Sequence, residues 1–470
     1  MLESSLIQNS VVTRVVYWVI GSFIALTHLL LSFVSDSDSF IRADRSPQRL
    51  KAITRLIDSS QTFDSFIHQL SAQGNVGDYG IHAALYWFAG PPGVIAFQIV
   101  LAVASTLCVI SISYHAFNSR AIAIASGLIY SLLPQSLAFP HQLTSEALAN
   151  PLVIFGTASF LRALGPRNRT LPWILAGASF GFAALIRPAL ILLPLSAALL
   201  LICIDRKRMR SSQLGIFIAC GVAPFLLWGL FMLSQTGQFG PGQSNQDLGI
   251  NLSQSTAKVL LAEGLAKADG RPPEWLQRRL TLPEYLHFVA KYPGGFTNLY
   301  IANTFVMLAD SGIGRLYVDV LGIGAEARLQ LMNPLTGWRA QLTNHGLLAM
   351  LEAGWRVAPG TILVGVVGAL GFALINVGVL IAYLVLLHRD SALRNALTPL
   401  TQRWCLAFML IIPIYVLTTS QVTAYAPSRL RSQGEFAWAI LACIGWAVVF
   451  RQRHVVRSSA QVPRQESATN

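Results

Sequence analysis

Asp36 and Asp38 stand in Val34-Ser35-Asp36-Ser37-Asp38-Ser39-Phe40, directly after the first long apolar run. A carboxylate at such a boundary is partly desolvated, which raises its pKa and makes it a better proton acceptor. It could take the proton of an acceptor hydroxyl while that oxygen attacks an electrophilic carbon. The same two residues also read as solvated groups that merely end an apolar helix. Glu146, in His141-Gln142-Leu143-Thr144-Ser145-Glu146-Ala147, is read as the only acid at or inside a span boundary in the first half of the chain. A carboxylate within a membrane costs about 2.5–3.5 kcal/mol at mid-depth, so it usually has a partner. Glu146 could orient a substrate, hold a divalent metal with His141 or an aspartate, or sit at a helix start capped by Thr144 or Ser145.

Three arginines invite a second chemistry. Arg187 lies in Ala-Ala-Leu-Ile-Arg-Pro-Ala-Leu, between two apolar runs, and Arg429 and Arg431 lie in Ala-Pro-Ser-Arg-Leu-Arg-Ser-Gln-Gly-Glu-Phe. The guanidinium fork binds phosphate oxygens two at a time. All three fall on the outer side of the topology below, against the positive-inside bias, which favours a lipid phosphate as ligand; snorkelling to headgroups is the plainer alternative. His28 and His82 sit alone on apolar faces and read first as packed side chains. HExxH, GxxxxGK[ST] and GxSxG patterns are absent. The glycines scattered within the spans suit close helix packing.

The elements that must hold these residues are membrane helices. Of 470 residues, 53% are hydrophobic and 12% charged, about half the charge of a soluble domain, and the mean hydropathy is +0.54. Several apolar runs reach the roughly 20 residues that cross a bilayer as a helix. They are continuous rather than alternating, which excludes a β-barrel. The net charge of +13 comes from clusters between apolar runs, such as Arg206-Lys207-Arg208 and Arg451, Arg453 and Arg457. That is the pattern of short cytoplasmic loops and not of a nucleic-acid surface. The five cysteines fall inside apolar runs without a CxxC pair, so neither a disulfide framework nor a zinc site is implied.

The expected fold is therefore all-α, integral in the membrane, with about ten spans, both termini cytoplasmic, and the inner membrane of a bacterium as its location. Residues 1–235 form an N-terminal transmembrane module with an outer loop at 35–80. Residues 236–360 form an outer region with short helices, and 361–470 hold the C-terminal spans and tail. In the first loop Leu50, Ile53, Leu56 and Ile57 recur at helical spacing, which predicts an amphipathic helix on the outer membrane face. Tyr79 to Phe88 reads as a short interfacial or re-entrant helix, ended by Gly90-Pro91-Pro92-Gly93. The segment Phe296 to Leu308 is too short and polar to count as a span.

Four stretches together resemble the bacterial members of the C-type membrane glycosyltransferase superfamily, near the protein mannosyltransferase and aminoarabinose transferase branch. They are Asp36-Ser-Asp-Ser-Phe40; Gly77-Asp-Tyr-Gly-Ile-His-Ala-Ala-Leu-Tyr with Gln98; Thr144-Ser-Glu-Ala-Leu148 with Gly181-Phe-Ala-Ala-Leu-Ile-Arg-Pro188; and Ser428-Arg-Leu-Arg-Ser432. The chain departs from the family where Ser37 replaces a glutamate, Phe40 a tyrosine, and where the last loop lacks its tyrosine and proline.

The resemblance implies an inverting transferase, hexosyl or pentosyl, that takes its sugar from a polyprenyl-phosphate donor. The acceptor would be a glycan, lipid or protein at the outer face, and membrane lipids would surround the spans. Asp36, or failing that Asp38, would be the general base. Glu146, Arg187, Arg429, Arg431, Tyr79 and His82 would contact substrate. Some relatives use a divalent metal and others do not; Glu146 and His141 are its candidate ligands here. Two further readings are a transporter or flippase of lipid-linked sugars, which would favour charges within spans and paired broken helices, and an oligosaccharide polymerase or ligase.

Overall fold

The structure is a computed structural model. It describes residues 2–35, 39–42, 46–58, 62–71, 76–117, 119–164, 170–205, 211–237, 239, 252–253, 255–260, 280–313, 315–322, 348–349, 351–356, 359–387, 412–414 and 431–460. Every regular element among them is helical. In chain order these include α1 (Leu2–Val34), α2 (Ser39–Arg42), α3 (Ser46–Asp58), α4 (Phe63–Ser71), α5 (Val76–Phe117), α6 (Arg120–Leu132), α7 (Pro134–Ala138), α8 (Glu146–Ala163), α9 (Thr170–Ile186), α10 (Leu193–Asp205) and α11 (Ser211–Thr236). Then follow α12 (Leu282–Lys291), α13 (Pro293–Ala309), a π-helical turn (Arg315–Val320), α14 (Pro359–Leu387) and α15 (Glu435–Ala460).

Five stretches are long and apolar enough to cross a membrane: Val15–Val34, Val76–Phe117, Ser212–Gln235, Leu363–Val385 and Ser432–Phe450. A sixth would be α6 with the segment Pro134–His141, bent by 60°. Large side chains such as Trp18, Phe33, Trp87, Phe88, Leu227 and Leu370 face outward, as lipid-facing residues do. The protein is an integral membrane protein. Of the ten expected spans, the ninth, about Trp404 to Thr419, lies outside the described residues apart from 412–414. The fourth and fifth appear as α8 and α9, 18 and 17 residues long. The segment Phe296 to Leu308 lies in a helix, α13, as short as expected at 17 residues.

The breaks in the helices are the features that place the site, and each has a local cause. At Gly90 the backbone takes φ 61° and ψ −163°, open to glycine and strained for other residues. Pro91 then starts the second half of α5, where its missing N–H is harmless. The expected short helix ending at Gly90 is therefore present, joined end to end with the second span. Leu133 precedes Pro134 and is extended at φ −60°, ψ 134°, because the proline ring disfavours helical backbone before it. Arg187 precedes Pro188 and is extended for the same reason, at φ −136°, ψ 101°, so α9 ends one residue before a guanidinium.

The core packs α5, α8, α9, α11 and α15 together. Phe160, Trp173, Phe180 and Phe217 form an aromatic cluster with ring centroids 5.4–6.1 Å apart. Glycines allow the close approach: a Cβ on Gly177 would lie 2.4 Å from the Phe217 carbonyl oxygen, and one on Gly181 2.7 Å from that of Gly221. A second core holds Phe40, Ile53, Leu56, Leu70, Val76, Ala83, Val94 and Leu143. The amphipathic α3 buries its Ile53 and Leu56 there, against α5, so its apolar face meets protein rather than lipid.

Candidate functional site

The site is best built from the segment 139–146, which connects the bent α6–α7 unit to α8. Every residue from His141 to Asn150 is buried. Leu143 donates its backbone N–H to the Phe40 carbonyl at 3.0 Å. His28 Nδ1 lies 3.2 Å from His141 Nε2, and Ser32 Oγ lies 3.3 Å from His141 Nδ1. The chain is thus fastened to this segment both before and after residues 36–38. Asp36 and Asp38 themselves lie outside the described residues.

Arg49 makes a third fastening. Its Nη1 donates to the Leu143 carbonyl at 3.3 Å and its Nη2 to Ser145 Oγ at 3.4 Å, while Nε lies 3.4 Å from Asp78 Oδ2. Asp78 also lies 3.0 Å from His82 Nδ1. Neither contact of Asp78 is aligned as a hydrogen bond, so the attraction is one of charge and position. His82 Nε2 lies 3.0 Å from Gln98 Nε2. The expectation that Glu146 is the only boundary acid in the first half of the chain is corrected: Asp78 stands in the first turn of α5, 1% exposed.

Glu146 is the first residue of α8 and is fully buried. Its Oε1 pairs with Arg187 Nη1 at 2.7 Å and its Oε2 accepts from Ser145 Oγ at 3.3 Å. Gln433 adds a second partner to the guanidinium when its amide oxygen faces it, accepting from Nη1 at 3.2 Å and Nε at 2.9 Å. Next to it Asn150 donates to Ser432 Oγ at 3.1 Å. Two sequence candidates, Glu146 and Arg187, are therefore partners. The backbone break at Pro188 and the start of α8 bring them together. Ser145 is the N-cap residue of α8 but its side chain makes no capping bond; it bridges Arg49 and Glu146 instead.

Arg431 is placed differently. It is fully buried, with Nε and Nη2 donating to Glu435 Oε1 at 3.3 and 3.1 Å and Nη1 to the carbonyls of Met307 and, at 2.7 Å, Asp310. Its guanidinium stacks 3.8 Å from the Phe372 ring centroid. Arg431 joins α13, α14 and α15 and offers no surface to a ligand. His82 is likewise held internally and 1% exposed, while Tyr79 is half-buried against the core around Phe40. Arg429 lies outside the described residues.

As metal ligands, Glu146 and His141 are each already engaged, by Arg187 and by His28 with Ser32. Among the described residues no three of His, Cys, Asp and Glu form a group that could hold an ion.

An apolar cleft of about 590 Å³ opens between α9 and α11. Ala178, Phe182, Leu185, Leu227 and Trp228 line it, together with Ile67 of α4. Leu185 places the cleft two residues from Arg187.

Residues 87–228 match the family model described as dolichyl-phosphate-mannose-protein mannosyltransferase. Over this stretch the chain resembles those membrane mannosyltransferases. The mannosyltransferase-like stretch contains Gln98, His141, Glu146, Arg187 and most of the lining of the apolar cleft, whereas Arg49, Asp78, His82 and Arg431 lie beyond it. Among curated proteins none matches the chain.

Two solved structures are similar at low identity. One is the archaeal oligosaccharyltransferase AglB from Archaeoglobus fulgidus in complex with an inhibitory peptide and a dolichol-phosphate, at 12% identity and TM-score 0.44, covering 94% of this chain and 51% of that one. The other is ArnT from Cupriavidus metallidurans bound to undecaprenyl phosphate, at 13% identity and TM-score 0.36, covering 92% and 78%. The chain thus spans about half the length of the archaeal enzyme.

Sequence reasoning missed Arg49, Asp78, Gln433 and Glu435 as members of the buried polar network. A signal existed for Arg49, because it shares the i, i+4, i+7 face of α3 with Ile53 and Leu56. Asp78 had a weaker one, an acid at the head of a long apolar run.

Proposed function

We propose that the protein is a membrane glycosyltransferase that moves a sugar from a polyprenyl-phosphate donor to a hydroxyl acceptor on the outer face of the membrane. The observation that carries this reading is the Glu146–Arg187 pair, 2.7 Å apart with Glu146 fully buried, inside the stretch that matches the mannosyltransferase family. In the reaction the acceptor oxygen attacks the anomeric carbon while the bond from that carbon to the phosphate oxygen breaks. The configuration inverts, the acceptor proton passes to Asp36 or Asp38, and polyprenyl phosphate leaves with its negative charge.

Arg187 is the phosphate ligand in this reading. Glu146 and Gln433 orient its guanidinium, and preorganised charge of this kind supplies much of the stabilisation of a charged leaving group. The isoprenoid tail follows the apolar cleft between α9 and α11 towards Arg187. That the archaeal enzyme and ArnT were solved with polyprenyl-type phosphates agrees with such a donor without deciding it. Arg431 braces the last helix in place. Glu146 and His141 have partners within the protein, and no step here runs through a metal. The acceptor class, whether glycan, lipid or protein, and the choice of hexose or pentose are for assay.

The test is transfer by purified protein in detergent from a panel of labelled polyprenyl-phosphate sugars to cell-envelope acceptors. Asp36→Asn or Asp38→Asn should abolish turnover, with folded yield unchanged. Full activity in the double variant removes the aspartate base. A second reading, transport of lipid-linked sugars, draws on the helix breaks at Gly90 and Leu133 and on the buried charges. It predicts donor translocation in proteoliposomes without transfer.

A further inference from the structure

We propose that Arg49 is the positioning residue of this site: it locks the outer-loop helix α3 onto the segment that carries Glu146, and so holds the Glu146–Arg187 pair in place relative to α3 and α5. The inference rests on the reading that the Glu146–Arg187 pair acts in transfer.

Three observations carry it. First, Arg49 is 7% exposed, although it belongs to an outer-loop helix where an arginine would ordinarily reach water. Second, its three donor groups reach two parts of the chain far from each other in sequence. Nη1 meets the Leu143 carbonyl and Nη2 meets Ser145 Oγ, partners 94 and 96 residues away in sequence, and Nε faces Asp78 at the start of α5. Third, Ser145 passes the contact on, because its hydroxyl donates to Glu146 Oε2 at 3.3 Å. Arg49 is therefore one side chain from the Glu146–Arg187 pair and nine residues along the chain from Phe40, whose carbonyl accepts from Leu143.

The chemistry suits arginine and not lysine. A planar fork reaches a carbonyl, a hydroxyl and a carboxylate at once, and its charge cannot be lost by deprotonation. An ammonium is a point donor and would hold one of these partners at a time. Asp78 supplies the opposing charge that keeps a buried guanidinium in place, and His82 with Gln98 fixes Asp78 from the other side.

The reacting segments need not lose contact for a defect to show, since a displacement near 1 Å from a distant change costs about 100-fold in turnover. Arg49→Gln is therefore expected to lower kcat by about 100-fold, with KM for the donor changed by less than about threefold. Arg49→Lys should recover part of the loss. Lys51→Gln, on the exposed face of the same helix, should behave as wild type. A purely structural role would instead lower the fraction of folded enzyme, leave kcat per folded molecule intact, and show no rescue by lysine.

Hydrogen exchange gives a readout independent of transfer. In Arg49→Gln, peptides covering 39–42 and 141–146 should exchange at least about tenfold faster than in wild type, with α9 and α15 unchanged. Unchanged exchange at both segments overturns the clamp, whether or not any donor is turned over. Wild-type turnover by Arg49→Gln overturns its role in positioning. A wild-type protein inactive with every lipid-linked sugar, yet showing the exchange change, keeps the clamp and removes the glycosyltransferase reading on which its catalytic role rests.

Discussion

Glu146 and Arg187 are worth more as a pair than apart. Glu146 is fully buried and the Arg187 side chain is 11% exposed, so deleting either charge leaves the other largely uncompensated, at a cost of up to about 3–5 kcal/mol. Glu146→Gln and Arg187→Met are each expected to lower stability by that amount, and the double variant should recover much of the loss, read as a double-mutant cycle on unfolding in detergent. Additive losses would mean that the two side chains do not interact. Gln142 makes the opposite case. It is fully buried, and among the described residues neither end of its amide has a hydrogen-bond partner. Leaving a buried polar group unsatisfied costs about 1–3 kcal/mol, so Gln142→Met should raise the thermal midpoint. A fall would show that the amide is bonded after all, for instance to an ordered water. Neither result was foreseeable from sequence. Glu146 and Arg187 were each visible as odd charges beside apolar runs, but their pairing is decided by the turn at Pro188.

At the scale of elements, the breaks and periodicities were legible because their causes are local. Leu50, Ile53, Leu56 and Ile57 at helical spacing gave α3, Gly90-Pro91 gave the break in α5, and Arg187-Pro188 ended α9. What the spacing of α3 misplaced was its partner, expected to be the outer membrane face. The apolar face packs on α5 and the Phe40 core instead of on lipid, and that depends on Leu70, Val76 and Leu143, far away in sequence. Close packing between spans was also foreshadowed by glycines. Its sharpest instance joins α14 and α15, where a Cβ on Gly445 would stand 1.9 Å from the Gly378 carbonyl oxygen. Trp446 seals the same crossing by donating Nε1 to the Leu374 carbonyl at 3.1 Å. Small residues let such backbones touch. Gly445→Ala is expected to destabilise the protein by about 1–3 kcal/mol, and Gly365→Ala, which meets nothing within 4 Å, to change it little. Equal midpoints for the two variants would refute the close crossing of α14 and α15.

For the molecule as a whole, the decisive quantity is the side of the membrane on which the polar network opens. The charge clusters argue that Arg162 to Arg169 and Arg206 to Arg210 face the cytoplasm. α8 runs from Glu146 to Arg162, so the two ends of one helix carry the site and an inner-side cluster, and Glu146 must then lie towards the outer face. The same logic puts α3, tied to Glu146 through Arg49 and Ser145, outside. On this reading a few arginines at one end of short helices and one buried network at the other set the topology, and labelling tests it directly. A single cysteine introduced at Asp58, the last residue of α3, should react with a membrane-impermeant maleimide in intact cells, in a variant whose five native cysteines are replaced. A cysteine at Ser467 in the tail should react only after the membrane is opened. The reverse pattern would place the Glu146–Arg187 pair towards the cytoplasm, where a donor with its phosphate at the outer face could not reach it, and transfer on the outer side would have to be abandoned. Labelling of both positions in intact cells would instead break the assignment of the tail and leave the site where α8 puts it.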